Sequence, residues 1–309
     1  MNECECPNIY TSLKQNIQNN NSKNKNILKF LREEFVFGGH LLSFACSAFA
    51  ISIILMLNAT FKFELIFITY LLSMIVYNFD HYKSIEEDKH DNPKRTNHIK
   101  KYQKLFPTLL IIYGFLFIGL LLVYGNILSL SIGILILTIG ILYSIGLKNL
   151  TEKITGFKNI YTSLSVSLLV VLISCHVGLS LNLTALFIGL FIFLRLLINT
   201  SFCDLKDIKT DKEKKFITLP IYFGEKKFLS FLKLLNLISL LCIFFGVILN
   251  ILPVFTLFLI FTYPIVLFYI NKAKKLNVNI EKLSSVLVDG EFIFWPFLLF
   301  FGQFIFSLF

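Results

Sequence analysis

The sequence predicts an all-α, polytopic membrane protein with nine transmembrane helices around a central cavity. Its composition carries this prediction: 56% of the 309 residues are hydrophobic and only 16% are charged, whereas a soluble domain carries about 25% charged residues. Proline and glycine are scarce, at 7 and 15 residues, which favours long apolar helices. The sequence lacks the regular alternation of apolar and polar residues that is typical of a membrane β-barrel.

The N-terminal segment differs from the rest of the chain. Residues 1–33 are polar and rich in Asn and Lys, and we expect this tail to be partly disordered. No short apolar core followed by a small-residue cleavage site occurs in it, so a secretory signal peptide is not predicted. Residues 34–309 are expected to form the nine-helix membrane domain.

Nine apolar stretches follow the tail, and a transmembrane helix needs about 20 such residues. They cover residues 35–57, 61–79, 105–124, 126–147, 159–179, 182–203, 229–249, 252–271 and 291–309. An odd number of spans places the two termini on opposite sides of the bilayer.

The distribution of Lys and Arg predicts the orientation. Three connections, at 124–127, 179–183 and 249–253, contain neither residue, whereas the other connections hold nearly all of them. By the positive-inside rule, the N-terminus and both long charged loops lie on the cytoplasmic side. The formal net charge of +10 is therefore interpreted as a topology signal, and no nucleic-acid partner is predicted.

The two long charged loops resemble each other. Residues 80–104 and residues 204–228 each carry seven basic and five acidic side chains, and the loops lie four spans apart. Such a pseudo-repeat indicates two halves that face one shared cavity.

The second of these loops contains a regular carboxylate pattern. Asp204, Asp207 and Asp211 lie at positions i, i+3 and i+7, which line one face if the segment is helical. Three stacked carboxylates repel one another unless a cation is bound, and hard oxygen ligands suit Mg²⁺. Because Mg²⁺ prefers sites that it shares with substrate phosphates, a diphosphate is the natural co-ligand.

The first charged loop has a looser pattern. Asp80 and Asp88 are eight residues apart and can share a helix face, with Glu87 and Asp91 as neighbours. The alternative for either loop is a solvated segment of mixed charge that binds no metal.

These motifs resemble those of the UbiA superfamily of membrane-bound prenyltransferases. The second loop resembles the family's DxxDxxxD signature, including its trailing Thr218-Leu219-Pro220 and Gly224-Glu225-Lys226. The first resembles the family's NDxxDxxxD motif, with Asn92-Pro93-Lys94-Arg95 at the position of its closing segment. If Pro93 sets the register, Ser84 takes a position that is usually acidic or an amide. If Asn78 sets it, Tyr82 and Glu86 take the motif positions; the first register is preferred.

The resemblance implies a nine-helix fold, an isoprenyl diphosphate donor and Mg²⁺ as cofactor. It implies transfer of the isoprenyl group to a small lipophilic or aromatic acceptor within the membrane lipid, by ionisation of the allylic diphosphate. The implied metal-binding and catalytic residues are Asp80, Asp88, Asp204, Asp207 and Asp211. The candidate substrate-binding residues are Asn78, Ser84, Arg95, Tyr143, Lys148, Lys158, Asn159, Arg195 and Asn199.

Three of these candidates also have ordinary explanations. Lys148 and Lys158 resemble the family's basic segment beside the diphosphate, but the positive-inside rule alone would supply lysines there. Arg195 lies inside an apolar span, where a charged group normally faces a cavity or a partner. Besides bordering the site, it could pair with a carboxylate or extend toward the cytoplasmic surface.

Two other classes of function are consistent with the sequence. A UbiA-type terpene cyclase would share the metal site and the ionisation step, but the cation would close on its own chain. A transporter, channel or non-catalytic lipid-binding protein would also contain intramembrane charge and an internal repeat. The acceptor and the donor length are not predicted.

Overall fold

The computed structural model describes residues 28–86, 89, 93–274, 280–288 and 290–308. Every regular element within these residues is a helix, as the composition predicts. The predicted disordered start of the N-terminal tail lies outside the described residues. The described chain is already helical from Leu28, several residues before the predicted end of the tail.

The described part of the N-terminal half contains six α-helices. They are α1 (Leu28–Phe37), α2 (His40–Met56), α3 (Glu64–Ser84), α4 (Pro93–Lys100), α5 (Phe106–Tyr124) and α6 (Ile127–Ile145). A short 3₁₀ helix, Gln103–Leu105, precedes α5, and another, Leu147–Glu152, follows α6. The Asn126 side chain accepts a hydrogen bond from the Ser129 amide at 2.8 Å, so a polar cap begins α6 where no charged residue is present.

The C-terminal half is more interrupted. It contains α7 (Phe157–Ser167), α8 (Leu169–His176), α9 (Leu183–Cys203), α10 (Ile208–Glu213), α11 (Leu219–Phe223), α12 (Glu225–Ile248), α13 (Thr262–Ala273), α14 (Ile280–Leu283) and α15 (Trp295–Phe306). Short 3₁₀ segments, Val254–Phe261 and Glu291–Phe294, precede α13 and α15, and a π-helical turn, Ser284–Val288, follows α14.

Among the residues that the structure describes, six helical segments are long and apolar enough to cross a membrane. They are Gln103–Tyr124, Ile127–Ile145, Phe157–His176, Leu183–Cys203, Glu225–Ile248 and Val254–Ala273. The pair α1 and α2 gives up to seven spans, with a bend of 59° between them. Helices also lie at the second and ninth predicted spans, but neither is among these candidates. Helix α3, at the second span, carries Glu64, Asp80 and Lys83, and the helix Glu291–Phe306, at the ninth, is short. The predicted count of nine spans is thus not confirmed.

A large apolar core joins most helices of the bundle, and a second, smaller apolar cluster packs α9 against α12 and α13. Helix α2 packs against α3 and α15, and α9 packs against α7 and α12. Trp295, Phe117, Phe191 and Ile53 are among the largest side chains buried in this core. Many other leucines and phenylalanines on the outer surfaces of α5, α6, α12 and α15 remain exposed, as expected for surfaces that face lipid.

The bend between α1 and α2 is fixed at Gly39. This residue has φ of +87°, a left-handed conformation that glycine adopts easily. A Cβ atom there would lie 2.3 Å from Cδ1 of Tyr77 on α3. The Tyr77 hydroxyl also donates to the Phe37 carbonyl at 3.4 Å. Close packing on α3 therefore sets the direction in which α1 leaves the bundle.

Replacing Gly39 with alanine should destabilise the protein by roughly 1–3 kcal/mol, because the backbone conformation is strained for alanine and its Cβ would clash with Tyr77. Thermal unfolding of the detergent-purified protein measures this loss. Gly114→Ala is the control, since a Cβ there meets nothing within 4 Å and alanine favours a helix by about 1 kcal/mol. Equal melting temperatures for the two variants would contradict this account of the bend.

Candidate active site

A cavity of about 980 Å³ runs into the bundle between α2, α3, α6, α7 and α9, and α1 lies along its edge. Asp80, Lys158 and Asp204 lie at one end, which we call the mouth, together with Arg95 and Lys206. The deeper lining is mostly apolar and comprises Leu41, Cys46, Phe49, Leu72, Val76, Ile136, Val166, Leu169, Leu196 and Phe292. A polar end thus opens into an apolar interior.

The second carboxylate cluster does not lie on one continuous helix. Helix α9 ends at Cys203, residues 204–207 form turns, and α10 begins at Ile208. Asp207 therefore precedes α10 and is not part of the cavity wall. The expectation that all three carboxylates line one helix face is wrong, because short polar residues such as Asp favour turns and caps at the end of an apolar helix.

Lys158 brings two of the three carboxylates together. Its Nζ lies 2.9 Å from Oδ1 of Asp204 and 3.0 Å from Oδ2 of Asp211. Both aspartates are buried, with 4% and 5% of their surface exposed. Lys158 lies far from both aspartates in the sequence, but its position on α7 places its ammonium between their carboxylates.

Backbone contacts between two loops hold Lys158 in place. The Ile217 amide donates to the Thr151 carbonyl at 2.9 Å, and the Gly156 amide donates to the Ile217 carbonyl at 2.9 Å. Gly156 has φ of +67°, and a Cβ there would lie 2.8 Å from Leu219. The Thr-Leu-Pro segment that follows the second cluster therefore packs against the turn that begins α7.

The Asp204 carboxyl group at the mouth is perturbed by its surroundings. Burial raises the pKa of Asp204 to about 6, and the Lys158 ammonium limits this rise. The Asn159 side chain also donates to Oδ2 of Asp204 at 2.9 Å. The carboxylate is thus held by two donors, and bringing a further cation close to it would stabilise its ionised form.

From the first cluster, Asp80 reaches the cavity. It lies near the end of α3, and its Oδ1 is buried with no hydrogen-bond donor among the described residues. Asp88 lies outside the described residues. Asn78 and Ser84 are both buried, with 5% exposed, and neither is part of the cavity wall.

Tyr143 connects the two clusters. Its hydroxyl interacts electrostatically with Asp80, Lys158 and Asp204, so the ends of α3, α7 and α9 face the same space. The Tyr143 ring stacks on Tyr161 with centroids 5.5 Å apart, and both rings line the cavity. The pseudo-repeat of the sequence therefore corresponds to two helix ends that share one mouth.

Of the remaining predicted residues, some line the cavity and others do not. Arg95 and Asn199 line the cavity, and Asn199 donates to the Val288 carbonyl at 2.8 Å. Lys148 lies half-buried in the 3₁₀ helix after α6 and is not part of the wall.

Arg195 is 2% exposed and binds Asn236 at 2.8 Å and the Glu291 carboxylate. It therefore ties α9 to the C-terminal segment instead of reaching the mouth.

Sequence reasoning missed the contribution of α1. Lys29, Arg32 and Glu33 on this helix line the cavity. Glu34 accepts a hydrogen bond from Nε2 of His98 at 2.7 Å, which connects α1 to α4. The sequence does contain a signal for helix α1, since the apolar residues Leu28, Leu31 and Phe35 have helical spacing. The many Asn and Lys residues around them obscure this pattern.

The oxygen atoms at the mouth suit a hard divalent cation. Oδ1 of Asp80 and Oδ1 of Asn159 are both buried with no donor among the described residues, and the Asp204 carboxylate faces the same cavity. Oxygen ligands of this kind match Mg²⁺. No three His, Cys, Asp or Glu side chains of the described residues lie close enough to hold a metal on their own. A metal here would need further ligands, such as substrate oxygens or water.

Comparison with known proteins gives one family and several similar structures. A model of the UbiA prenyltransferase family matches residues 41–286. No curated protein sequence matches.

Three solved structures share the fold at low sequence identity. A digeranylgeranylglyceryl phosphate synthase is 17% identical, with a TM-score of 0.57 over 90% of this chain and 98% of its own. A UbiA homologue from Aeropyrum pernix K1 is 11% identical, with a TM-score of 0.66 over 87% and 98%. A UbiA homologue from Archaeoglobus fulgidus, bound to GPP and Mg²⁺, is 13% identical, with a TM-score of 0.57 over 86% and 99%.

Replacing Lys158 with methionine should destabilise the metal-free protein by roughly 3 kcal/mol, because two buried carboxylates would lose their common cation. Added Mg²⁺ should raise the melting temperature more in this variant than in the wild type. Lys206→Met, which alters a mouth lysine that forms no ion pair with the described residues, is the control. A variant as stable as this control in the absence of metal would contradict the assigned role of Lys158.

The raised pKa of Asp204 predicts a pH effect on stability. The folded carboxyl titrates near pH 6 and the unfolded one near its ordinary value of 3.8. The folded state therefore binds more protons between these values, and stability falls as the pH rises through this window, by roughly 3 kcal/mol in total. Melting temperatures in chelator from pH 4 to pH 7 test this, with Asp204→Asn as reference. Parallel curves for the two proteins would show that Asp204 does not titrate in this way.

Proposed function

Since this chain belongs to the UbiA prenyltransferase family, we propose that it transfers an isoprenyl group from an isoprenyl diphosphate to a small acceptor, in a Mg²⁺-dependent reaction. An aromatic compound or a quinone precursor is the proposed class of acceptor. One observation carries the proposal: Asp80 and Asp204, from the two pseudo-repeated motifs, line the mouth of a single cavity whose interior is apolar.

An isoprenyl diphosphate matches a cavity that is charged at its mouth and apolar in its interior. Its diphosphate would lie at the mouth, where Arg95, Lys158 and Lys206 supply positive charge, and its hydrocarbon chain would follow the apolar lining. Burial of that chain is favourable by roughly 0.8 kcal/mol for each CH₂ group. The Archaeoglobus homologue binds GPP or DMAPP together with Mg²⁺, which supports the same class of donor here.

We propose that the metal-binding residues are the five aspartates of the two clusters, Asp80, Asp88, Asp204, Asp207 and Asp211. Asp80 and Asp204 have the strongest support because their carboxylates line the mouth. Bound Mg²⁺ would neutralise the charge that develops on the leaving diphosphate. Lys158 would contribute to the same stabilisation from the protein side, because its ammonium is already held beside Asp204.

The chain's own residues would then protect and direct the allylic cation. The stacked rings of Tyr143 and Tyr161 line the cavity near the mouth, and aromatic faces attract cations. The apolar interior would exclude water that could capture the cation. After the acceptor attacks, a mouth carboxylate or the released diphosphate would accept the proton that the acceptor loses.

We further propose that the membrane topology has nine spans, with α3 and the C-terminal segment Glu291–Phe306 added to the seven that length and composition indicate. The N-terminus and both Asp-rich loops would lie on the cytoplasmic side, because three connections at the opposite ends of the helices, 124–127, 179–183 and 249–253, contain neither Lys nor Arg. The mouth would then open where water-soluble Mg²⁺ and diphosphate are available.

Diphosphate release from geranyl, farnesyl and geranylgeranyl diphosphate by the detergent-purified protein tests the proposal, with and without pooled aromatic acceptors. We expect Mg²⁺-dependent release that falls by roughly 10²–10³-fold in Asp80→Asn and in Asp204→Asn, because each loses a charge that stabilises the transition state. Glu213→Gln, an exposed carboxylate on α10, should retain activity.

Whether diphosphate release depends on an acceptor distinguishes prenyl transfer from its main alternative, terpene cyclisation. Release that depends on an acceptor supports prenyl transfer, whereas cyclic products from donor alone would identify a terpene cyclase. Folded protein that releases no diphosphate from any donor would contradict both and favour lipid binding or transport.

A further inference from the structure

The lining of the cavity ends at an inner level partway along the helices that surround it. Moving inward from the mouth, its last lining residues are Phe49 on α2, Thr69 on α3, Ile136 on α6, Leu169 on α8 and Leu196 on α9. Beyond this level the same helices bury large apolar side chains that do not reach the cavity. These are Ile53, Leu65, Ile68, Leu172, Ile173, Ile188 and Ile192.

Two aromatic rings form part of this inner end of the cavity, which we call the floor. Phe49 and Phe292 line the cavity, and their ring centroids lie 4.6 Å apart. Trp295 packs against both rings from behind, at 5.4 and 5.3 Å, and is completely buried. The floor is therefore a packed aromatic cluster, and such cores resist local expansion.

Helix geometry gives the distance from the mouth to the floor. Thr69 lies eleven residues before Asp80 on α3, Leu196 lies eight before Asp204 on α9, and Leu169 lies eleven after Lys158. At 1.5 Å per helical residue, these intervals correspond to a depth of about 12–16 Å.

This depth can be compared with the length of a prenyl chain. An extended peptide advances about 3.3–3.6 Å for every three backbone bonds, so the four main-chain bonds of one isoprene unit advance roughly 4.5–5 Å. Three units then need about 14 Å and four units about 19 Å. The cavity accommodates three extended units, and a fourth would reach the aromatic floor.

We propose that Phe49 and Phe292 set the upper limit of donor length and make farnesyl diphosphate the longest donor that the enzyme uses well. This inference depends on the proposed prenyl transfer, and it assigns to the two rings a role in specificity that no step of the chemistry requires. Removing either ring should lengthen the cavity toward Trp295 and admit a fourth isoprene unit.

The test measures kcat/KM for Mg²⁺-dependent diphosphate release from geranyl, farnesyl and geranylgeranyl diphosphate. In the wild type we expect the value for geranylgeranyl diphosphate to be at least tenfold below that for farnesyl diphosphate. Phe49→Ala and Phe292→Ala should each raise the ratio of geranylgeranyl to farnesyl diphosphate at least tenfold. Phe297→Ala, which removes a ring that is 68% exposed on α15, should leave that ratio unchanged.

Milder variants keep the test decisive if the alanine variants do not fold. Phe49→Leu should raise the same ratio in the same direction by a smaller factor, and Phe49→Trp should shift preference from farnesyl toward geranyl diphosphate.

The proposal fails if the wild type uses geranylgeranyl and farnesyl diphosphate equally well, or if folded floor variants keep the wild-type ratio. Either outcome would leave the proposed transfer intact, and the first would mean that the chain leaves the cavity by another route. Wild-type protein that releases diphosphate from none of the three donors would instead overturn both the transfer reaction and this inference.

Discussion

The ammonium of Lys158 lies between the buried carboxylates of Asp204 and Asp211, and the arrangement of the mouth depends on this contact. Two carboxylates at the end of an apolar helix could not remain buried together without a cation, because burial of unpaired charge is costly. The contact joins α7 to the end of α9 and to α10, although the sequence separates these elements widely. It also leaves a polar centre that faces Asp80 from the other half of the molecule.

The membrane explains why the polar and apolar parts are separated so completely. Within the bilayer, helices satisfy their own backbone groups and charged side chains must be paired. Arg195 obeys this rule through Glu291 and Asn236, and it fastens the helix that carries Asp204 to the C-terminal segment. The other charges of the cavity gather at its mouth, so the ionisation step and the apolar chain of the proposed donor would occupy opposite ends of one space.

Much of this arrangement could be predicted from the sequence, because span length and charge bias are strong one-dimensional signals. The helical class follows from these signals, and the two Asp clusters are identified by the spacing of their carboxylates. Lys158 and Asn159 are candidates because their segment resembles the basic segment of the prenyltransferase family. The break after Cys203, which removes Asp207 from the cavity wall, could not be predicted, because i, i+3, i+7 spacing is also compatible with turns. The partner of Arg195 lies 96 residues away, and no local pattern indicates such a contact.

The central claim is the proposal that Asp80 and Asp204, whose carboxylates both line the mouth, help to hold Mg²⁺ together with the donor diphosphate. Electron–nuclear double resonance of Mn²⁺, bound to the protein with a non-hydrolysable farnesyl diphosphate analogue, tests it directly. The account predicts phosphorus hyperfine coupling in the wild type, and its loss in both Asp80→Asn and Asp204→Asn. Coupling that persists unchanged in either variant would show that this carboxylate is not needed to hold the metal beside the diphosphate, and would contradict a site that depends on both halves.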